Sequence, residues 1–221
     1  MLIVPLIYYF WDKLNIMTVS DTIEKIIKQS NRGKLIFISE FSEFGNYDTV
    51  RKTLQRLVNK GLIIRISKGI YFYPKIDETF GLLYPTADEI GKAIAKRDKA
   101  RIIPTGAYAQ HLLGLSTQIP MNVVYLTDGS ARKIRVGNQI IVFKKTRPKN
   151  LSFESELSSL LIQSLKAKKE NSITNNEKQK LIEIIKQSGQ EDRIKKDIQN
   201  APVWIRKIIL EILSDVKNEL A

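Results

Sequence analysis

Apolar residues at helical spacing, interrupted by one strand-like run, define the first part of the chain. From Ser20 onward, recurring isoleucines predict a helix that ends at the turn of residues 31–33. Residues 34–38 are rich in β-forming side chains and predict a short strand. Ser39 is expected to cap a short second helix, and Gly45-Asn46 is expected to form a sharp turn before the next one.

A third helix is predicted at residues 47–60, with one apolar face and one polar face. Its apolar positions follow the i, i+4, i+7, i+8 spacing of a buried helical stripe. These positions are Val50, Leu54, Leu57 and Val58. Gly61 is expected to end the helix. Residues 62–67 and 70–73 then predict a β-hairpin around the turn Lys68-Gly69.

Beyond Pro74 the predicted elements alternate between helix and strand. Helical spacing at residues 87–96 and 106–113 flanks a strand-like run at residues 101–103. This change of pattern predicts a second domain of mixed α/β type.

Three β-rich runs come next and predict an antiparallel meander. The turn dipeptides Asp128-Gly129 and Gly137-Asn138 separate them, and such turns join neighbouring antiparallel strands. The runs are residues 122–127, 133–136 and 139–143. From Phe153 onward, leucines and isoleucines at helical spacing predict a helical C-terminal region.

Together these patterns predict an α+β protein that begins with a winged helix-turn-helix at residues 18–75. A mixed α/β domain with the antiparallel meander is expected at residues 76–150, and a helical tail at residues 151–221. Residues 1–17 form an apolar N-terminal extension that is too short for a membrane span, which needs about 20 apolar residues. We interpret Met17 as the start of the functional chain, and an interfacial anchor is the alternative for the extension.

The charge of the chain favours a polyanionic partner. A formal net charge of +13 over 221 residues attracts nucleic acid or an anionic lipid surface. The sequence contains no cysteine, which excludes disulfides, thiol catalysis and cysteine-based zinc sites. A cytoplasmic location without a membrane partner fits this composition.

The polar face of the third helix is the strongest candidate for a binding site. The DNA major groove admits one α-helix, whose Arg, Lys, Gln or Asn side chains read base edges. A basic hairpin directly after that helix can brace the phosphate backbone. The predicted DNA-binding residues are Tyr47, Thr49, Arg51, Lys52, Gln55 and Arg56 on the helix, and Arg65 and Lys68 on the hairpin. For the helix taken alone, the alternative is an ordinary solvated amphipathic helix.

Two stretches of the sequence resemble the AbiEi-type antitoxins of bacterial type IV toxin-antitoxin and abortive-infection systems. Residues 48–58 (DTVRKTLQRLV), with a wing that ends at residues 68–71 (KGIY), resemble the winged-helix domain of that family. Residues 103–115 (IPTGAYAQHLLGL), followed by residues 123–127 (VVYLT), resemble the domain that comes after it. The pairing of both stretches is more specific than the winged-helix pattern alone.

The resemblance implies a transcriptional autorepressor that binds double-stranded DNA at repeats in its own promoter. It also implies an antitoxin that counters a cognate nucleotidyltransferase-like toxin without a stable complex between the two proteins. The helical region after Phe153 lies outside the resemblance. The alternative function is a basic interaction module that binds RNA or an acidic protein partner without promoter specificity.

We expect no catalytic residues, cofactor or metal site. A nucleotidyltransferase needs paired acids after a Gly-Ser turn to hold magnesium, but residues 131–150, directly after Gly129-Ser130, contain no Asp or Glu. His111 is the only histidine, and without cysteines it cannot assemble a zinc site unless carboxylates complete it. The sequence has no glycine-rich phosphate-binding motif of the P-loop or dinucleotide type.

Overall fold

The computed structural model describes residues 18–168 and 173–220 and shows an α+β protein. The chain divides into two compact units, Met1–Pro85 and Thr86–Ala221. This division falls later than the expected boundary at residue 75, and the second unit contains both the mixed α/β part and the C-terminal helices. The expected apolar extension at residues 1–17 lies outside the described residues. Within them, no helix has the length and apolar character that a membrane span requires.

Helix α1, Val19–Gln29, opens the first unit, and its N-cap is Thr18. The Thr18 side chain accepts a hydrogen bond from the Asp21 backbone N–H at 3.2 Å, and the Asp21 carboxylate accepts one from the Thr18 backbone N–H at 3.1 Å. This reciprocal capping box satisfies backbone donors that a helix start leaves free. The sequence pattern placed the start at Ser20, where the third following residue is the apolar Ile23, and so missed the box.

Strand β1, Leu35–Phe37, follows α1, and the expected second helix is only a 3-10 turn, Ile38–Phe41. The Phe37 backbone N–H donates to Glu40 Oε1 at 2.8 Å. This bond fixes the start of the turn, so the expectation that Ser39 caps an α-helix was wrong. The backbone hydrogen bonds that follow join residues three apart, which is the 3-10 pattern.

Helix α2, Tyr47–Asn59, and the hairpin of β2, Ile64–Ser67, and β3, Ile70–Phe72, complete the core of the first unit. Strand β3 pairs antiparallel with both neighbours, which gives the order β1-β3-β2. Side chains from the helices and the sheet fill the core: Ile23, Ile27, Ile36, Phe41, Val50, Leu54, Leu57, Ile63, Tyr71 and Tyr73.

A second small hairpin follows, formed by β4, Lys75–Asp77, and β5, Gly81–Leu83. The Asp77 carboxylate accepts hydrogen bonds from the backbone N–H groups of Thr79 and Phe80 at 2.9 and 3.0 Å, which stabilises the connecting turn. The sequence analysis ended the first domain before this hairpin, because three-residue strands leave almost no alternation to detect.

The second unit begins with helices on a four-stranded sheet of order β6-β7-β9-β8. Helix α3 lies before the sheet in sequence, and helix α4 lies between its first two strands. The elements are α3, Ala87–Asp98; β6, Ile102–Thr105; α4, Gly106–Leu112; β7, Asn122–Thr127; β8, Arg132–Val136; and β9, Gln139–Lys145.

The predicted antiparallel meander was wrong. Strand β9 lies between β7 and β8 and runs parallel to β7, so Asp128-Gly129 does not join neighbouring strands. Strand β9 takes the inner position because residues 140–143 form a continuous apolar run, whereas β8 carries three basic side chains. The Asp128 carboxylate instead accepts hydrogen bonds from the Arg101 backbone N–H and Nε, at 2.8 and 3.0 Å.

The C-terminal helices pack around a core of leucine and isoleucine. They are α5, Glu156–Lys166; α6, Asn175–Ser188; α7, Glu191–Asp197; and α8, Val203–Leu220. The Asp197 carboxylate accepts hydrogen bonds from the backbone N–H groups of Glu154 and Ser155, at 2.9 and 3.1 Å, which fixes the start of α5. Helix α5 also contacts α4 and β6, so the helical region and the sheet share one unit.

Gly91 provides a test of the packing of α3 on the sheet. A Cβ atom at Gly91 would lie 2.9 Å from the ring of Tyr125, which is 0% exposed. We predict that Gly91→Ala lowers the free energy of unfolding by up to about 2 kcal/mol, because overpacking costs about 1–3 kcal/mol and the gain in helix propensity offsets about 1 kcal/mol of it. Urea denaturation measures this difference.

Ala93→Gly on the same helix is the control, and it should cost only the propensity difference of about 0.5–1 kcal/mol. A Gly91→Ala variant that is more stable than the wild type would show that α3 does not approach the Tyr125 ring this closely.

Candidate nucleic-acid interface

Helix α2 has a defined start and end. The Asn46 side chain accepts a hydrogen bond from the Thr49 backbone N–H at 2.9 Å, which caps the first turn. Lys60 is the C-cap, and Gly61 follows with a φ of +71°, a conformation that favours glycine. The predicted helix at residues 47–60 is therefore confirmed to within one residue.

One side of α2 is buried in the core of the first unit. Val50, Leu54 and Leu57 are 1%, 0% and 1% exposed, and Thr53 beside them is also buried. Because this stripe fixes the rotation of the helix about its axis, the opposite face must point away from the core.

That opposite face carries the side chains that the sequence indicated. Tyr47 is 56% exposed, although it is an aromatic residue. On the helix, Arg51, Lys52 and Arg56 are exposed, and Thr49 and Gln55 are half-buried; on the hairpin, Arg65 and Lys68 are exposed.

Several of these polar side chains already make hydrogen bonds along the helix. The Arg51 guanidinium lies 3.3 Å from the Asp48 carboxylate, and the Gln55 amide donates to Asn59 Oδ1 at 3.1 Å. Exposed bonds of this kind contribute little to stability. They can therefore be exchanged for bonds to a ligand at low cost, and meanwhile they hold the side chains in defined positions.

Lys52 differs from the other lysines near α2. No hydrogen bond or ion pair joins its side chain to any residue in the described ranges. Lys60, by contrast, lies 3.1 Å from Glu24, which also pairs with Lys28 at 2.7 Å. The hydrogen bonds from Lys28 and Lys60 hold the pKa of the Glu24 carboxyl below its usual value. Lys52 is thus an unneutralised cation in the middle of the exposed face.

Tyr71 connects the helix to the basic hairpin. It lies opposite Arg65 in the pairing of β2 with β3, and it is 2% exposed. Burial raises the pKa of the Tyr71 hydroxyl, while the positive charges of Arg65 and Arg51 act in the opposite direction. Cations from the helix and from the hairpin therefore lie near the same buried phenol.

Asn59 is a further candidate that was not predicted from the sequence. Its exposed side chain lies one turn beyond Gln55 and accepts the Gln55 hydrogen bond. Paired amides at this i, i+4 spacing offer donors and acceptors for base edges, and the spacing alone could have shown this.

Other candidate sites for metal binding or catalysis are few in the described parts of the chain. No group of His, Cys, Asp and Glu side chains there is arranged to hold a metal ion. His111 lies on α4, where its ring stacks on Tyr108 with 6.4 Å between the centroids. Its Nδ1 atom is buried and has no hydrogen-bond partner among those residues.

The chain belongs to a protein family of unknown function, DUF6088, whose pattern matches residues 22–193. Among solved structures, the chain is similar to the RV2827C protein from Mycobacterium tuberculosis, with 12% sequence identity and a TM-score of 0.47. That likeness covers 91% of this chain and 78% of the other chain, and it is too distant to support an argument about function. No curated protein matches the sequence.

The close packing of the turn in the basic hairpin can be tested by a substitution at Gly69. Gly69 has a φ of +71°, and a Cβ atom there would lie 3.0 Å from Ile38 Cγ2. We predict that Gly69→Ala lowers the free energy of unfolding by about 2 kcal/mol or more, because left-handed strain costs about 1–2 kcal/mol and the contact with Ile38 adds to it.

Gly61→Ala is a matched control for this change. Gly61 has the same φ of +71°, but a Cβ atom there would meet nothing within 4 Å. This variant should show the strain alone, about 1–2 kcal/mol, in the same urea titration. Equal losses in the two variants would mean that Ile38 does not restrict the turn.

Proposed function

We propose that the first unit is a winged helix-turn-helix and that the protein is a sequence-specific, DNA-binding transcriptional autorepressor. In this proposal, α2 enters the major groove, and the hairpin of β2 and β3 forms the wing that contacts phosphates. The proposed DNA-binding residues are those predicted from the sequence, together with Asn59.

One observation carries the proposal: the exposed face of α2 is polar and basic, and a basic hairpin follows it directly. The buried stripe of Val50, Leu54 and Leu57 leaves that face free for a partner. Lys52 is available at its centre without breaking an existing ion pair. A solvated helix with no partner does not explain why the hairpin beside it is also basic.

We further propose that the protein is the antitoxin of a type IV toxin-antitoxin system and acts against a nucleotidyltransferase-like toxin without a stable complex. The resemblance of residues 48–58 and 103–115 to AbiEi-type antitoxins supports this part of the proposal. A cytoplasmic location follows from it, because both the DNA and such a toxin are found there.

Site discrimination tests the role of α2. We predict that Lys52→Ala and Gln55→Ala each reduce the preference for the protein's own promoter over scrambled DNA by about 1–3 kcal/mol, since both side chains face base edges. Lys68→Ala should weaken both DNAs equally, because a phosphate contact carries no sequence information. Fluorescence anisotropy at one fixed salt concentration measures the two affinities of each protein, for promoter and for scrambled DNA.

Lys207→Ala, which removes an exposed cation from α8 in the second unit, is the control and should leave the preference unchanged. If Lys68→Ala removed the preference while Lys52→Ala and Gln55→Ala kept it, the hairpin rather than the helix would read the sequence.

The antitoxin role generates a separate prediction. Co-expression with a nucleotidyltransferase-like toxin encoded beside this gene should restore growth of cells that the toxin arrests. A Lys52→Ala variant, expressed from an unrelated promoter, should restore growth equally well, because the proposed DNA contact is not needed for protection. Growth counts after toxin induction measure both, and failure of the wild-type chain to protect would contradict the antitoxin proposal.

A further inference from the structure

A run of exposed cations in the second unit lies outside the proposed DNA-binding face. Residues 131–150 contain no Asp or Glu, and the run spans β8, β9 and the loop that follows. Its exposed basic side chains are Lys133, Arg135, Lys144, Lys145, Arg147 and Lys149.

These six cations have no neutralising partner in the described structure. None of their side chains makes a hydrogen bond or an ion pair with residues 18–168 or 173–220. Elsewhere in the same unit, acids pair with basic side chains: Lys92 lies 2.8 Å from Asp88, and Lys178 lies 2.7 Å from Glu211. Unpaired like charges repel one another, so this cluster contributes nothing to stability by itself.

The strand register places three of the cations on one face of the sheet, and we refer to them as the basic triad. Lys133 lies opposite Val142, and Arg135 lies opposite Ile140, in the pairing of β8 with β9. Lys144 is two residues beyond Val142 and shares its face, because side chains alternate along a strand. Successive positions of the triad are therefore about 7 Å apart along the strand direction.

The basic triad lies on the face that the helices leave partly open. On that face, Val124, Leu126, Ile140 and Val142 are half-buried. The buried side chains of β9 point to the opposite face, where Phe143 stacks on Tyr125 with 5.6 Å between the ring centroids. The open face thus combines cations with aliphatic side chains, and its strand positions include no aromatic residue.

Protection of a sheet edge does not explain the whole cluster. Charged side chains on an edge strand prevent pairing with other chains, and Lys133 and Arg135 on β8 can serve that purpose. Lys144 and Lys145 lie on the inner strand β9, however, and Arg147 and Lys149 lie in the loop beyond it. An edge-protecting function requires none of those four.

We infer that the basic triad and its neighbouring cations bind the sugar-phosphate backbone of double-stranded RNA. Charge complementarity identifies a polyanion, and the lack of aromatic side chains on the open face argues against single strands, whose bases stack on aromatic platforms. A-form RNA presents a wide, shallow minor groove that a flat surface can contact, whereas DNA is read by an element that enters its major groove. This surface goes beyond the proposed DNA contact of α2 and does not depend on it.

The test is direct binding of the full chain to an RNA duplex of about 20 base pairs, longer than the ~16 base pairs that shape-reading RNA-binding domains span. The same sequence as a DNA duplex without promoter repeats is the comparison probe. We expect RNA binding to depend strongly on the triad, and DNA binding, which the hairpin of the first unit also supports, to depend on it far less. The triple variant Lys133→Ala, Arg135→Ala and Lys144→Ala should weaken RNA binding at least about tenfold and reduce the slope of log affinity against log salt by about 3, since each phosphate contact contributes about 0.9.

A charge-matched control separates a local contact from the overall field of the protein. The variant Lys195→Ala, Lys207→Ala and Lys217→Ala removes the same formal charge from exposed positions on α7 and α8. It should change RNA affinity by less than about twofold. The charge-conserving variant Lys133→Arg and Lys144→Arg should bind like the wild type, and unchanged thermal melting of each variant shows that it is folded.

Three results would overturn the inference. Equal losses in the triad and control variants would show a general effect of net charge. A loss of DNA affinity in the triad variant as large as its loss of RNA affinity would remove the preference for A-form geometry. Competition by poly-glutamate at lower concentration than by unlabelled RNA duplex would identify the surface as a docking site for an acidic protein. None of these three measurements involves promoter DNA or Lys52. The RNA inference and the proposed DNA-binding function can therefore fail separately.

Discussion

The rest of the first unit depends on the burial of one aliphatic stripe. Val50, Leu54 and Leu57 are almost completely buried and hold α2 against α1 and the sheet. A short helix with this many polar residues is only marginally stable by itself, so tertiary packing of the stripe provides most of its stability. The same packing fixes the rotation of the helix. The exposed position of Lys52 and its neighbours is therefore a consequence of the core rather than an independent feature.

The distribution of acidic residues decides which cations are available to a partner. In the first unit, Glu24 is shared by Lys28 and Lys60, whereas Lys52 has no partner among the described residues. In the second unit, Asp88 pairs with Lys92 along α3 and Glu211 of α8 pairs with Lys178 of α6, whereas residues 131–150 contain no acid. Part of the positive charge of the chain therefore lies on two exposed surfaces, and buried side chains of the same elements hold both surfaces in place.

Local patterns made some elements predictable from the sequence, and long-range pairing made others unpredictable. Helix α2 was predicted almost to its ends, because its stripe and Gly61 are signals within one segment. The order of the second sheet was not predicted, because the position of β9 between β7 and β8 depends on pairing between segments that are distant in the sequence. The exposed residues of α2 could be named in advance. Long-range partners, such as Glu24 of α1 for Lys60 at the end of α2, required the structure.

Protection of individual lysines from chemical acetylation shows which of them lie against the DNA. The full chain would be acetylated with and without its own promoter DNA, and each lysine would be quantified by mass spectrometry. If α2 enters the major groove, promoter DNA strongly protects Lys52 and Lys68, while Lys207 on α8 stays as reactive as in the free protein. If Lys52 reacted equally with and without DNA under conditions where binding is complete, α2 would not face the DNA, and the proposed function would be contradicted.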